Sequence, residues 1–248
     1  GKINIIRIIN IQKRVIMIEI NIYTTENINS EIYAKIFFQT IQEIGIEFQK
    51  ISLYEPITNK FSMEKAIEMW TLAEPGCYDF ELDEMTGTAG GMLGKGKGIS
   101  LMVNWWESPK EKNVNYLVIG FSNKVFLRYQ DKIVAVFKKL VSEFNAIYGY
   151  ISDEGIINRQ HITGTIKSRI PGIFEYNYFG KLFVDFIGED KLQSLSWSNS
   201  FPLNEGLLTV LDNKKAEEFL LLEKQIKEKI ALNFFNGKSS DYPDVLKG

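Results

Sequence analysis

The densest concentration of residues able to do chemistry is the glycine-rich run Gly87 to Gly98. From Gly91 it reads GMLGKGKG, which meets the first seven positions of the phosphate-cradling pattern G-x-x-x-x-G-K, with Lys97 as its lysine. In that pattern a Ser or Thr at the eighth position holds magnesium, and a helix starts there to turn its N–H groups on the phosphates. Here the eighth residue is Gly98, and the strand-like run ISLMVNWW follows. The context favours a flexible hairpin connection, with a weaker anion-binding use left to Lys95 and Lys97. A nucleotide-binding enzyme using residues 87–98 stays as the lesser alternative.

Other catalytic chemistry is bounded by counts. The single histidine, His161, is the only imidazole available to a Ser–His–Asp or Cys–His arrangement, and it stands in a polar, glycine-flanked stretch, RQHITG, without a nucleophile motif beside it. The single cysteine, Cys77, follows Pro75-Gly76 with nothing to mark it as activated, and reads as structural. One His and one Cys exclude a zinc site built from those residues and leave only carboxylate sites open; no metal and no cofactor is expected. Carboxylates are plentiful, yet no pair stands out as an acid/base couple. The most concentrated are Asp79, Glu81, Asp83 and Glu84, which read either as the solvated outer face of a strand or as an acidic surface docking a basic partner. Trp105 and Trp106 are adjacent on a strand-like run, so their side chains point to opposite faces and only one can enter the core. The other is either covered by a helix or exposed as a binding anchor. The residues through which a partner would be held are therefore Asp79, Glu81, Asp83, Glu84, Lys95, Lys97, Trp105 and Trp106.

Composition narrows the class. The 248 residues include 29 basic and 31 acidic ones, mixed along the chain, for a net charge of -2. That balance produces no general field for nucleic acid or anionic lipid. A lone cysteine rules out an internal disulfide framework and fits a reducing compartment. The apolar runs between Lys2, Arg7 and Lys13 are too short for a signal core or a membrane span. The expected location is the cytoplasm, with residues 1–14 a lead-in to the first strand.

The elements that must position these residues are legible from periodicity. Val15 to Tyr23 places Ile16, Ile18, Ile20 and Ile22 on one face, as a half-exposed strand does. Ser30 caps an amphipathic helix that runs to Gly45; Ile46 to Leu53 is a strand; Ser62 caps a shorter helix ending near Leu72. Tyr78 to Met85 alternates as a strand with Phe80 and Leu82 on one side. Ile99–Trp106 and Val114–Phe121 pair as a hairpin around the loop SPKEKN, and the three form a meander. Lys124 to Phe144 is the longest central helix, with Phe126, Ile133, Val136, Phe137, Leu140 and Val141 as its stripe. Tyr148–Ile151 is a short strand, residues 152–169 a long loop, and 192–204 irregular. Gly206–Leu211 is a strand and Asn213 to Phe235 a long C-terminal helix. The expected fold is α+β, a largely antiparallel sheet with helices packed on it, forming one domain over residues 1–248 with a loose tail from 237.

One stretch has more distinctive wording. Ile170 to Gly188 reads IPGIFEYNYFGKLFVDFIG: a strand with Ile173 and Phe174, a glycine break, and a short helix buried through Phe183, Val184 and Ile187. It resembles the signature of the immunity protein 52 family and related type VI immunity proteins of bacterial polymorphic toxin systems. The match runs from Tyr148 through the terminal helix and is strongest at Pro171, Gly172, Ile173, Phe174, Asn177, Tyr178, Phe179, Gly180 and Gly188. Glu175 departs from it, at a place where a bulky aromatic is usual. The resemblance implies a non-enzymatic protein that binds a cognate toxin and blocks it stoichiometrically. Read as residues, the matched positions are scaffold, with Asn177 hydrogen-bonding its turn. The alternative is an inhibitor of a phage–host conflict, or another protein-binding module, on the same scaffold.

Overall fold

A computed structural model describes residues 17–110, 112–212 and 214–246. The lead-in over residues 1–14, the first two residues of the expected opening strand and the Cys77 side chain lie outside the described residues. In chain order the strands are β1 (Met17–Thr24), β2 (Phe48–Ser52), β3 (Asn59–Lys60), β4 (Glu74–Asp79), β5 (Glu84–Gly96), β6 (Ile99–Glu107), β7 (Asn115–Ser122), β8 (Tyr148–Asp153), β9 (Tyr176–Phe179), β10 (Asn199–Leu203) and β11 (Gly206–Val210). The helices are α1 (Glu31–Gln42), α2 (Met63–Thr71), α3 (Asn123–Glu143), α4 (Glu154–Gln160), α5 (Lys181–Ile187), α6 (Glu189–Gln193) and α7 (Ala216–Ile230). The strands form one sheet in the order β10-β11-β9-β8-β1-β7-β6-β5-β2-β3, with β4 also on β5. Every described pairing is antiparallel. The expected α+β class is what the chain adopts.

Register determines what each sheet face carries, because residues directly opposite in antiparallel strands share a face. Ile20, Ile119, Leu101, Gly94 and Ile51 form one row across β1, β7, β6, β5 and β2. That face is buried beneath α1, α2 and α3, which contribute Phe37, Phe38, Trp70, Ile133, Phe137 and Leu140 to the core. Helices α1 and α2 begin at the serines expected from sequence, and α3 begins at a third, Ser122. Ser30, Ser62 and Ser122 accept from the backbone N–H of Tyr33, Lys65 and Val125, satisfying a donor the helix cannot pair itself. Among the described residues, the opposite face is covered over β8, β9 and β11 and at the edge of β1, where Tyr23 packs against the same cluster. There Tyr148, Tyr150, Phe179 and Leu207 meet Phe183 of α5 and Phe219, Ile226 and Ile230 of α7 in a second core.

The glycine-rich segment is a strand and not a loop. Residues 84–96 form the longest strand, β5, and Lys97-Gly98 is the two-residue turn to β6. Its glycines answer to packing. A Cβ on Gly90 would stand 2.1 Å from Cζ2 of Trp105 and 2.7 Å from the Leu72 carbonyl oxygen. Gly90 and Trp105 are directly paired, so the missing side chain makes room for the indole. Trp105 in turn donates from Nε1 to the Trp70 carbonyl at 2.8 Å, and Trp70 Nε1 donates to the Ile28 carbonyl at 2.8 Å. Both indoles are fully buried with their single donor satisfied.

The expected strand over residues 78–85 is instead the tip of the β4–β5 hairpin. Asp79 Oδ1 accepts from the N–H groups of Glu81 and Leu82 at 2.9 and 3.1 Å, closing the chain on itself, and Asp83 has a positive φ of 53°. Phe80, expected to face inward, is 89% exposed. Alternation there marked a turn and no buried face.

In the stretch from Ile170 to Gly188 the strand is Tyr176–Phe179 and begins after Ile173 and Phe174, which were expected within it. Ile173 and Phe174 are buried but lie in irregular backbone. Asn177 pins that backbone as anticipated: Oδ1 accepts from Phe174 N–H at 2.7 Å and Nδ2 donates to its carbonyl at 2.8 Å. Phe183, Val184 and Ile187 are the buried side of α5. The presumed loop 152–169 holds α4, whose Arg159 pairs with buried Glu223 of α7 at 2.6 Å. The stretch 192–204 ends in β10. The C-terminal helix spans 15 residues, shorter at both ends than expected. Within the C-terminal stretch Tyr242 is buried, and its hydroxyl donates to the Ile166 carbonyl at 2.6 Å.

Two outcomes test this packing. Gly90→Ala forces a methyl into the Trp105 ring and is expected to cost about 1–3 kcal/mol in chemical denaturation. Glu175 is raised from 4.5 to about 6, first by burial and then by the Asp153 charge. Between those values the folded state binds more protons than the unfolded one, so this group's contribution to stability falls as pH rises. Glu175→Gln is therefore expected to stabilise the chain by up to about 2 kcal/mol at pH values above the folded pKa. It should give no gain below the ordinary carboxylate pKa, and equal effects in both ranges would contradict the assignment.

Candidate functional site

The face of β1, β7, β6, β5 and β2 opposite α1–α3 is the unusual surface. Its rows read Asn21, Val118, Met102, Leu93, Ser52 across the middle, and Glu19, Gly120, Ser100, Lys95, Lys50 at one end. Toward the other end lie Tyr23, Tyr116, Asn104 and Gly91, then Trp106 opposite Ala89, which is opposite Glu74 of β4. Tyr23 of β1 packs against the second core and Asn21 is buried, but among the described helices none packs on this face of β7, β6, β5 and β2. Trp106 is partly exposed and tilts against Tyr116 with ring centroids 5.9 Å apart; Met102 is 37% exposed. An antiparallel sheet commonly leaves one face to water, but such faces are usually polar. Here the middle row carries Val118, Met102 and Leu93.

Two hollows open beside Trp106. One, of about 580 Å³, lies between the β1–α1 link and the loop after β6, and includes Asn27, Thr88, Glu107 and Lys112. Asn115 forms part of its wall: its Oδ1 accepts from the Trp106 N–H at 2.8 Å and its Nδ2 donates to the Glu26 carbonyl at 2.9 Å. The other, of about 350 Å³, lies on the outer side of β5. There β2 pairs with residues 93–96 of β5 and β4 with residues 84–89, which leaves a notch at Gly90–Met92.

The residues singled out from sequence do not form one site. Trp105 is fully buried and drops out as a contact, because β6 turns it onto Gly90. Trp106, its neighbour, takes the outward place. Lys95 shares the open face with Trp106, but its row is six residues from Ala89 along β5, about 20 Å at strand rise. Lys97 is exposed in the β5–β6 turn. With a strand on each side, that turn presents no helix N-terminus to a phosphate, and a Cβ on Gly98 would meet Val125 and Ser122 of the next helix start. Asp79, Glu81, Asp83 and Glu84 cluster at the β4–β5 hairpin tip. Asp79 is ion-paired with Lys110, whose hydrogen bond holds its carboxyl below the usual range. His161 is an exposed residue at the C-terminal end of α4. No group of three His, Cys, Asp or Glu among the described residues is placed to hold a metal ion, and no helix there is long and apolar enough to cross a membrane. The half-face itself was missed in the sequence. Its signal was the alternation in ISLMVNWW, where Ser100, Met102, Asn104 and Trp106 form a mixed outward set.

No family model matches the sequence, and no curated protein matches it. The fold is similar to that of a solved Pseudomonas aeruginosa T6SS protein, PA0821. The superposition has a TM-score of 0.59 at 9% identity, covering 87% of this chain and 73% of that one. At that identity the likeness is one of fold.

The two tryptophans separate scaffold from surface. Trp105→Ala is expected to lower unfolding free energy by about 3–5 kcal/mol, and Trp106→Ala by no more than about 1 kcal/mol. Denaturant titration of both variants checks the difference, and similar losses would place Trp106 in the core.

Proposed function

We propose that this chain is a non-enzymatic immunity protein of a type VI secretion context, which neutralises a cognate protein toxin in the cytoplasm by binding it. The observation that carries the reading is the uncovered half-face. Among the described residues, helices pack on one face of the central strands and leave the other open where Val118, Met102, Leu93, Tyr116 and Trp106 stand. An amphipathic aromatic in such a patch suits a protein partner. The likeness in fold to a T6SS protein supports the context.

Size sets how such a partner would sit. Four strands about 4.8 Å apart and about 26 Å long present roughly 500 Å² in projection. A stable complex covers about 800 Å² per partner. The toxin would therefore extend past the sheet onto its margins, where Lys95, Lys97 and the acidic hairpin tip with Asp79, Glu81, Asp83 and Glu84 are placed. Charges at such a rim raise the association rate and reject wrong partners more than they add affinity. Neutralisation then follows from occlusion: one immunity molecule blocks one toxin, with no turnover.

Co-expression with the toxin encoded beside its gene, followed by co-purification, tests the reading. The expected result is a one-to-one complex and survival of the toxin-expressing cell. Absence of both complex and protection would overturn it.

A further inference from the structure

The notch on the outer side of β5 has features the rest of the half-face lacks. Its floor is low because β5 supplies Ala89, Gly90 and Gly91 there, and Leu93, Met102 and Trp106 border it toward the sheet. Its mouth is apolar: Tyr54, Leu72 and Met102 line it while 64%, 45% and 37% exposed. These are three large apolar side chains held in water around one concavity, which a soluble surface does not usually gather without a use. Its charge is of one sign. Among the described residues lining it, Glu55 and Glu74 are the charged ones, and both are exposed. Each is also oriented by a local bond. Glu55 accepts from the Ile57 N–H at 3.2 Å, and Glu74 accepts from the Tyr54 hydroxyl. The bond to Glu74 raises the Tyr54 phenol above its ordinary value, so the tyrosine stays a neutral donor.

The opposite end of the half-face is basic, with Lys50 and Lys95 in one row and Lys60 opposite Lys50 on β3. A phosphate-bearing ligand would be drawn to that end and repelled from the notch. At about 350 Å³ the notch is at the small end of the range for ligand sites, roughly 300–1,000 Å³. That suits one or two side chains of a larger partner better than a whole cofactor.

We infer that this notch receives a loop of the partner protein that presents one large apolar side chain flanked by lysine or arginine. The apolar group fills the floor over Ala89 and Gly91 beside Trp106, and the flanking cations meet Glu55 and Glu74 at the mouth. The basic row at Lys50 and Lys95 then fixes which way round the partner lies, since its cationic loop is repelled from that end. This inference rests on the toxin-binding reading above and names the part of the surface that anchors the partner.

The test uses the full chain, the toxin encoded beside its gene, and calorimetric or interferometric binding. The double variant Glu55→Lys/Glu74→Lys is compared with wild type and with Glu228→Lys, which changes the charge of exposed α7 far from the notch. Thermal unfolding of each variant confirms that the surface changes leave the fold intact. Expected is a weakening of about tenfold or more for the double variant, with Glu228→Lys close to wild type. Trp106→Ala should weaken binding by a similar factor. Wild-type binding that the notch variants leave unchanged would overturn the inference while leaving the immunity reading standing. Absence of wild-type binding would sink that reading and this inference with it. Light scattering completes the test: a wild-type dimer that the double variant turns monomeric would assign the notch to a second copy of this chain and overturn the proposal.

Discussion

Much of the structure depends on the seating of Trp105 against Gly90. Antiparallel strands tolerate many registers in principle, and a slip of one residue sends every side chain to the wrong face. Here the indole fits only where the facing strand has no side chain, and the Cβ contacts at Gly90 leave no slack. Its Nε1 reaches the last residues of α2 through the Trp70 carbonyl, and Trp70 reaches the β1–α1 link through the Ile28 carbonyl. Two hydrogen bonds in a dry core thus tie the central sheet to α2 and to the start of α1. Each would leave an unsatisfied donor if the register moved, at about 1–3 kcal/mol apiece. Trp106 is outward because Trp105 is inward.

The same constraint explains why the glycine-rich run has the wording of a phosphate loop without the geometry of one. Its glycines are spaced by the demands of neighbouring strands: Gly90 by an indole, Gly91 by the Val103 carbonyl oxygen, 2.0 Å from where its Cβ would stand, and Gly96 by the Glu47 carbonyl oxygen. The low strand that results is also what lowers the floor of the notch beside Trp106. A packing requirement on one face of β5 therefore shapes the surface on the other side of it.

The second core is organised by polar groups as much as by apolar ones. Arg169 is buried, and its guanidinium donates to three carbonyls, those of Ile162, Pro171 and Phe235, at 3.2–3.3 Å. It joins the segment after α4, the stretch before β9 and the chain beyond α7. Tyr148 donates to the Gly172 carbonyl at 2.6 Å and Tyr150 stacks on Phe174 with centroids 3.8 Å apart, so the irregular backbone between Ile170 and Phe174 is held from the sheet side. The distinctive residues of Ile170–Gly188 are consumed in this scaffold. They carry the resemblance, while the open surface lies on the other half of the sheet.

The sequence by itself determined the elements whose instructions are local. Ser30 and Ser62 mark two helix starts because a cap needs only its own next turn, and the stripe of α3 needs only its own period. The Asn177 turn was legible for the same reason. Only the tertiary structure decided the rest. β5 has too many glycines to look like a strand, and becomes one because β6, β2 and β4 supply the pairing. α4 is seven residues long and gains its place from the Glu223–Arg159 contact 64 positions away. The candidate site was the least legible feature. It is a surface created by what the helices leave uncovered, and coverage is a property of the assembled layers that no single segment encodes.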